Sequence, residues 1–168
     1  MIRTERLVLR PARPDDLDPM HAIFTDPRAM RYWDRPPHTS LAETERVVDH
    51  LVKAPLDLRE EYVLEREGLC IGKAGVWRKP ELGYILHPDH WGQGLAHEAL
   101  RAILPRAWAR WPDMQVMTAE LDPRNVGSVR VLEKLGFTCV RVAEKNFLYG
   151  GIEWTDTGYY ALRRPPGR

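Results

Sequence analysis

Apolar residues recur along this chain with two different periods, and the switches between them divide it into elements. Near the start, Arg6-Leu-Val-Leu-Arg10 predicts a first strand that Pro11 and Pro14 stop. Asp15 and Asp16 then open a helical stretch in which Leu17, Met20, Ile23 and Phe24 recur at helix spacing. Asp26-Pro27 restarts a short helix through Met30, and Tyr32-Trp33-Asp34-Arg35-Pro36-Pro37 reads as a loop. Thr39 or Ser40 can cap the next helix, whose apolar face of Leu41, Val47, Val48, Leu51 and Val52 runs to Pro55.

From Glu61 the period becomes that of strands. Residues 61–65, 70–77 after the Glu67-Gly68 turn, and 82–86 after Lys79-Pro80 predict an antiparallel meander. Residues 94–110 predict a long helix with Leu95, Ala99, Ile103, Leu104, Ala107, Trp108 and Trp111 on one side and His97, Glu98, Arg101 and Arg106 on the other. Pro105 predicts a kink in it. Residues 114–121 form another strand, 126–135 a short helix closed by Gly136, and two last strands join near Gly150-Gly151. Trp77, Trp108 and Trp111 read as core or oligomer contacts.

With 168 residues and no repeat, low-complexity stretch or linker, the chain predicts one domain over 1–168. Its 25 Lys and Arg against 24 Asp and Glu leave a net charge of +1, which argues against nucleic acid or an anionic membrane as partner. The first thirteen residues carry Arg3, Glu5, Arg6 and Arg10, so they lack the apolar core of a secretory signal, and no run reaches the ~18 apolar residues of a membrane helix. Cys70 and Cys139 belong to no Cys/His cluster, and the histidines show no metal spacing. A cytoplasmic protein without a metal is expected.

An anionic ligand therefore needs a local site, and one segment offers it. Pro88 precedes Trp91-Gly92-Gln93-Gly94-Leu95-Ala96, where small residues stand at the turn into a helix N-terminus. The first N–H groups of a helix lack internal partners and sit at the positive end of its dipole, so a pyrophosphate can lie on the bare backbone. His97 stands where a third glycine would complete GxGxxG, and there is no GK[ST], so a dinucleotide or nucleoside-triphosphate site is disfavoured.

The segment resembles the cofactor loop of the GNAT acetyltransferase superfamily, written [Q/R]-x-x-G-x-[G/A]. Its Trp91 at the first position, and its continuation as His97-Glu98-Ala99-Leu100, are similar to the RimJ/RimL branch, whose members acetylate protein N-terminal amines and small amines. A second element agrees in order and spacing: Asn125, Ser128, Val131, Lys134, Gly136 and Phe137 resemble the branch pattern N-x-x-S-x-x-V-x-x-[K/R]-x-G-F. The Arg6-Leu-Val-Leu-Arg10 and Glu81-Leu-Gly-Tyr84 segments extend the resemblance over nearly the whole chain. With the order of elements it implies an α/β (α+β) GNAT fold, a mixed and mostly antiparallel sheet of six to seven strands flanked by helices.

The resemblance implies transfer of acetyl from acetyl-CoA to a primary amine, with a homodimer possible. The strand Tyr84-Ile85-Leu86-His87 is expected to splay from its neighbour and pair with the pantetheine arm, a backbone N–H near Leu86 polarising the thioester carbonyl. Trp91, Gly92, Gln93, Gly94, Leu95 and Ala96 would take the pyrophosphate, Asn125 the pantetheine arm, and Lys134 a phosphate. Asn125 equally fits a helix N-cap. Ser128 is the expected donor to the departing thiolate, since the branch places a serine there. Glu81, on the face of Gly83 and Ile85, is the expected base, with Glu120 as its rival. Asn146 stands where some members carry a glutamate, so that role is not carried over. Tyr32 and Trp33 would wall the amine pocket, where an aromatic face can also bind a cation. A coenzyme A-binding sensor without turnover, or an enzyme using another acyl donor, are the alternatives. The acceptor itself, whether a protein N-terminus, an amino acid, a polyamine or an antibiotic amine, follows from no motif.

Overall fold

A computed structural model describes residues 1–166, so the last two residues of the expected 1–168 unit lie outside the described residues. The strands are β1 (Ile2–Arg3), β2 (Val8–Arg10), β3 (Glu60–Arg66), β4 (Leu69–Arg78), β5 (Glu81–Leu86), β6 (Val116–Leu121), β7 (Thr138–Tyr149) and β8 (Glu153–Arg163). The helices are α1 (Leu17–Thr25), α2 (Pro27–Met30), α3 (Leu41–Lys53), α4 (Leu95–Arg110) and α5 (Val126–Lys134). One eight-stranded sheet runs β1-β2-β3-β4-β5-β6-β8-β7. Every pairing is antiparallel except β5 with β6. The mixed sheet is as expected, and the strand beyond the expected six or seven is the two-residue β1, too short to leave a period.

Two apolar layers cover the sheet. On one face Leu82, Leu86, Ala74 and Val76 pack with Leu95, Leu100, Ile103 and Ala107 of α4 and Leu132 of α5. Burying one such leucine or isoleucine contributes ~1.5–3 kcal/mol, so α4 is firmly seated. It runs without a break through Pro105. Its C-terminal carbonyls are capped by Arg164, which donates to Trp108 O at 2.8 Å and to Trp111 O at 2.7 Å. On the other face Val63 and Ile85 pack with Met20, Ile23 and Phe24 of α1 and Val48 and Leu51 of α3.

Several local readings change. Leu41 and Val52 are exposed, so the buried face of α3 is narrower than expected. Ser40 holds the N-cap position of α3 but its side chain does not accept from the helix. Glu43 instead accepts from the Thr39 N–H at 3.1 Å and the Ser40 hydroxyl at 3.2 Å, because a carboxylate is the stronger acceptor. Of the two readings of Trp77, core is excluded: it is 42% exposed and lies over Gly83. Asp16 does more than open a helix: buried, it receives both ends of the Arg10 guanidinium at 2.9 and 2.7 Å. Those bonds and the attraction to Glu65 outweigh burial and raise the Arg10 pKa, so the group stays charged.

Candidate active site

The site begins where the sheet opens. β5 and β6 are in register only at Glu81 with Thr118 and Leu82 with Ala119, so the rest of β5 has no strand on that side. The expected splay is therefore present. Its other edge is fully occupied by β4, and the next residue, His87, donates its N–H to Ile71 O at 2.9 Å. Backbone groups alternate in direction along a strand, so Leu86 and Tyr84 turn theirs to the open edge. The Trp91 indole N–H takes the Leu86 carbonyl at 2.9 Å, leaving the Leu86 N–H facing the notch. Trp91 is thus a strut between strand and loop.

The loop that follows has the form an anion needs. Gly92 and Gly94 have φ of 72° and 75°, the left-handed region that glycine tolerates. A Cβ on Gly92 would meet nothing within 4 Å, so that side is open. Gly94 is the N-cap of α4 and no side chain caps it, which leaves the first N–H groups of a sixteen-residue helix free to bind. Leu95 and Ala96 bring their N–H groups to that turn while the Leu95 side chain is buried. Gln93 points its amide elsewhere, accepting from Arg66 at 2.6 Å and donating to Asp89 O at 3.3 Å. These residues fit a pyrophosphate, and the open edge beside them fits an extended amide chain.

Across the notch stands the first turn of α5. Asn125 is its N-cap, accepting from the Ser128 N–H at 3.2 Å. Ser128 accepts on its carbonyl from the Tyr84 hydroxyl at 3.2 Å, and among the described residues its own hydroxyl makes no hydrogen bond. Tyr84, expected at the site only through the backbone of its strand, also brings its side chain there, because alternation with Leu82 and Leu86 sets it on the α5 side. Burial pushes its pKa up to about 12, so it remains a donor. Lys134 lies exposed in the last turn of α5, about 13 to 14 Å along the axis from Asn125. His87 accepts from the Asp89 N–H at 3.3 Å and shapes the turn before the loop.

The opposite face of the opening is lined by side chains. Glu81 and Thr118 are in register, so Glu120 shares the face of Glu81, Gly83 and Ile85, opposite Tyr159 of β8. Glu81 is held by Arg78 at 2.8 Å, and Arg78 stacks on Trp77 at 4.6 Å. Glu120 has no hydrogen bond among the described residues. Glu120 is exposed, but the atoms around it still remove part of its hydration, which together with the negative charge of Glu81 raises its pKa, with Arg78 and Arg141 opposing. Trp33 packs against the apolar layer over Val63 and Ile85 and carries the Lys73 ammonium 5.7 Å from its ring centroid. Tyr32 lies between the guanidinium groups of Arg31 and Arg124, at 5.2 and 5.7 Å. Both arginines grip Glu153 at the start of β8, and the Tyr149 hydroxyl donates to Met30 O at 2.8 Å. Glu81 and Ser128 belong to opposite sides of the sheet and share no hydrogen bond.

Residues 6–138 match the family described as Acetyltransferase (GNAT) domain. The chain belongs to the GNAT family. It is an acetyl-CoA-dependent N-acetyltransferase, similar at 25% identity over 143 residues, 80% of each chain, to the uncharacterized N-acetyltransferase p20 of Bacillus licheniformis. It is 26% identical over 136 residues, 77% of this chain and 72% of the relative, to the spermidine N(1)-acetyltransferase of Escherichia coli strain K12. Its fold matches that of a GNAT acetyltransferase from Bacillus anthracis with a TM-score of 0.82 at 24% identity, covering 96% of this chain and 97% of that one. RimL, the ribosomal L7/L12 α-N-protein acetyltransferase, solved with coenzyme A, matches with a TM-score of 0.82 at 20% identity over 95% of both chains. Among the described residues no group of three or more His, Cys, Asp or Glu could hold a metal, and no helix is long and apolar enough to cross a membrane.

Proposed function

We propose that this GNAT enzyme binds acetyl-CoA in the notch between β5 and β6 and passes its acetyl group directly to a primary amine entering from the α1–α3 face. The observation that carries this reading is the parting of β5 from β6 beside an uncapped helix N-terminus, with carboxylates on the far face of the opening. Acetyl-CoA supplies the acyl thioester. The free Leu86 N–H is aimed to donate to its carbonyl oxygen, where charge develops. Ile85 and His87 flank that N–H on the strand.

Of the two carboxylates, Glu120 is the better base. Glu81 is committed to Arg78, whereas Glu120 has no partner among the described residues and its raised pKa brings it closer to that of an amine. It removes one proton from the bound ammonium, directly or through a water, and the neutral amine then attacks the thioester carbon. Glu81 keeps that pKa raised. As the C–S bond breaks, the Ser128 hydroxyl gives a proton to the departing thiolate and is restored by the proton that the new amide nitrogen loses, while Tyr84 fixes the turn that carries it. A thiol with a pKa near 8.5 is a fair leaving group, so this assistance is modest.

The acceptor is a primary amine of a small molecule or a protein N-terminus. The carboxylates of Glu81 and Glu120 on one face of the opening support an acceptor that arrives as an ammonium, while the rings of Trp33, Trp77 and Tyr159 already carry Lys73, Arg78 and Arg141 and serve as walls. A thiol-release assay with acetyl-CoA against N-terminal peptides, amino acids, polyamines and aminoglycosides tests this. Release with one class names the acceptor. Tight acetyl-CoA binding without release for any of them would contradict transfer and favour a coenzyme A sensor.

A further inference from the structure

Two motifs far apart in the sequence meet behind the cofactor loop. Arg6, from the segment ahead of β2, donates its backbone N–H to Glu98 Oε1 at 2.8 Å and its Nε to Glu98 Oε2 at 2.7 Å. Its Nη1 donates to the carbonyl of Gln93 at 2.8 Å, inside the glycine turn. The Thr4 hydroxyl donates to the same Glu98 carboxylate at 2.6 Å. Burial works against the charge on Glu98, yet the bonds from Thr4 and Arg6 outweigh it and hold its pKa below the usual carboxylate value. Glu98 is also the residue whose N–H closes the first turn of α4 onto the Gly94 carbonyl, at 3.0 Å.

We infer that Arg6 and Glu98 are positioning residues for the cofactor loop. One planar guanidinium ties the carbonyl of Gln93 to the first turn of α4, so the peptide units around Gly94 are fixed with their N–H groups outward. The loop needs such a tie because two glycines in the left-handed region leave it with little stiffness of its own. Arg suits the task better than Lys, since its fork reaches two acceptors at fixed angles. An isolated surface ion pair is worth ~0–1 kcal/mol, so the function of this one is geometric. The inference rests on reading residues 92–96 as the pyrophosphate cradle.

The test is calorimetric affinity for acetyl-CoA, with KM, kcat and Tm, for wild type, Arg6→Ala, Arg6→Lys, Glu98→Gln and the Arg6→Ala/Glu98→Gln double variant. Lys53→Ala, in an exposed pair with Asp49, is the control for loss of a surface ion pair. Hydrogen bonds to a charged ligand are each worth roughly 10- to 100-fold in binding, so Arg6→Ala and Glu98→Gln, which displace the N–H groups that make them, should each raise Kd and KM for acetyl-CoA by about 10- to 100-fold, with kcat at saturation nearly unchanged. The double variant should be no worse than the weaker single one, because both remove one tie. Arg6→Lys should fall between wild type and Arg6→Ala. Unchanged affinity in Arg6→Ala would overturn the inference. So would tighter binding in Glu98→Gln beside weaker binding in Arg6→Ala, the sign of a guanidinium that contacts phosphate directly. Losses that follow Tm, with kcat and KM affected alike, would also overturn it. A wild-type protein that does not bind acetyl-CoA would instead overturn the cradle reading itself.

Discussion

The two sides of the opening between β5 and β6 are built by different means. The α4 and α5 side is made of backbone: a free strand edge, a glycine turn and an uncapped helix start. The α1–α3 side is made of side chains from many elements, with Trp33 between α2 and α3, Trp77 on β4, Glu81 on β5, Glu120 on β6 and Tyr159 on β8. Backbone sites demand particular residues at fixed local spacing, since only glycine permits the turn and only a helix start frees its N–H groups. Side-chain sites demand only that distant positions share a face. The first kind supports recognition of a constant ligand and the second a variable one.

This contrast can be broken by substitutions on either side. The largest effect is expected for Glu120→Gln, which should lower kcat by on the order of 100-fold or more, as loss of a general base does, while leaving acetyl-CoA affinity intact. Glu81→Gln sharpens it: without the negative neighbour the pKa of Glu120 falls, so the acidic limb of kcat/KM moves to lower pH. An equal collapse of kcat in Glu81→Gln would make Glu81 the base. Gly94→Val should weaken acetyl-CoA binding by about 100-fold, because a β-branched residue at φ 75° carries ~1–3 kcal/mol of strain, which the turn relieves by moving its N–H groups, and its side chain crowds the Arg6 tie behind the loop. Ser128→Ala should lower turnover by about 10-fold with little change in acetyl-CoA KM, since one hydroxyl assists a thiolate that can also leave unaided. A rate equal to wild type would remove Ser128 from the mechanism.

The smallest expected effect lies away from the opening. His38 is buried, stacked on Phe24, and shares the Thr44 hydroxyl with His21. Burial lowers its pKa below 6.5, so the fold favours its neutral form. That stability is complete above the unfolded value and is lost as pH falls through the folded one. Tm of the His38→Gln variant should therefore depend less on pH below about 6.5 than wild type does, which thermal melts across that range would read.

The same division explains what the sequence allowed to be read. The meander of β3 to β5, the long α4 and the closing pair β7 and β8 are long enough for their periods to be visible, and the loop at Gly92 and Gly94 carries its chemistry in local spacing. The role of the Tyr84 side chain was hidden because a tyrosine in a strand looks like packing until α5 is seen across the gap. Trp77 reads equally as core or oligomer contact from sequence, and only the pairing of Gly75 with Gly83 shows that it lies over a bare stretch of sheet. The free carboxylate of Glu120 depends on Glu81 being taken by Arg78, a three-residue accident of the β4–β5 turn that no period encodes.

The central claim is that acetyl-CoA is held by backbone on one side while the amine is handled by side chains on the other. Calorimetric titration of acetyl-CoA into wild type, Gly94→Val and Trp77→Ala tests it most directly. The account predicts micromolar binding to wild type, its near loss in Gly94→Val, and wild-type affinity in Trp77→Ala with a raised KM for the amine. Wild-type affinity in Gly94→Val, or a loss in Trp77→Ala as large as that in Gly94→Val, would contradict it.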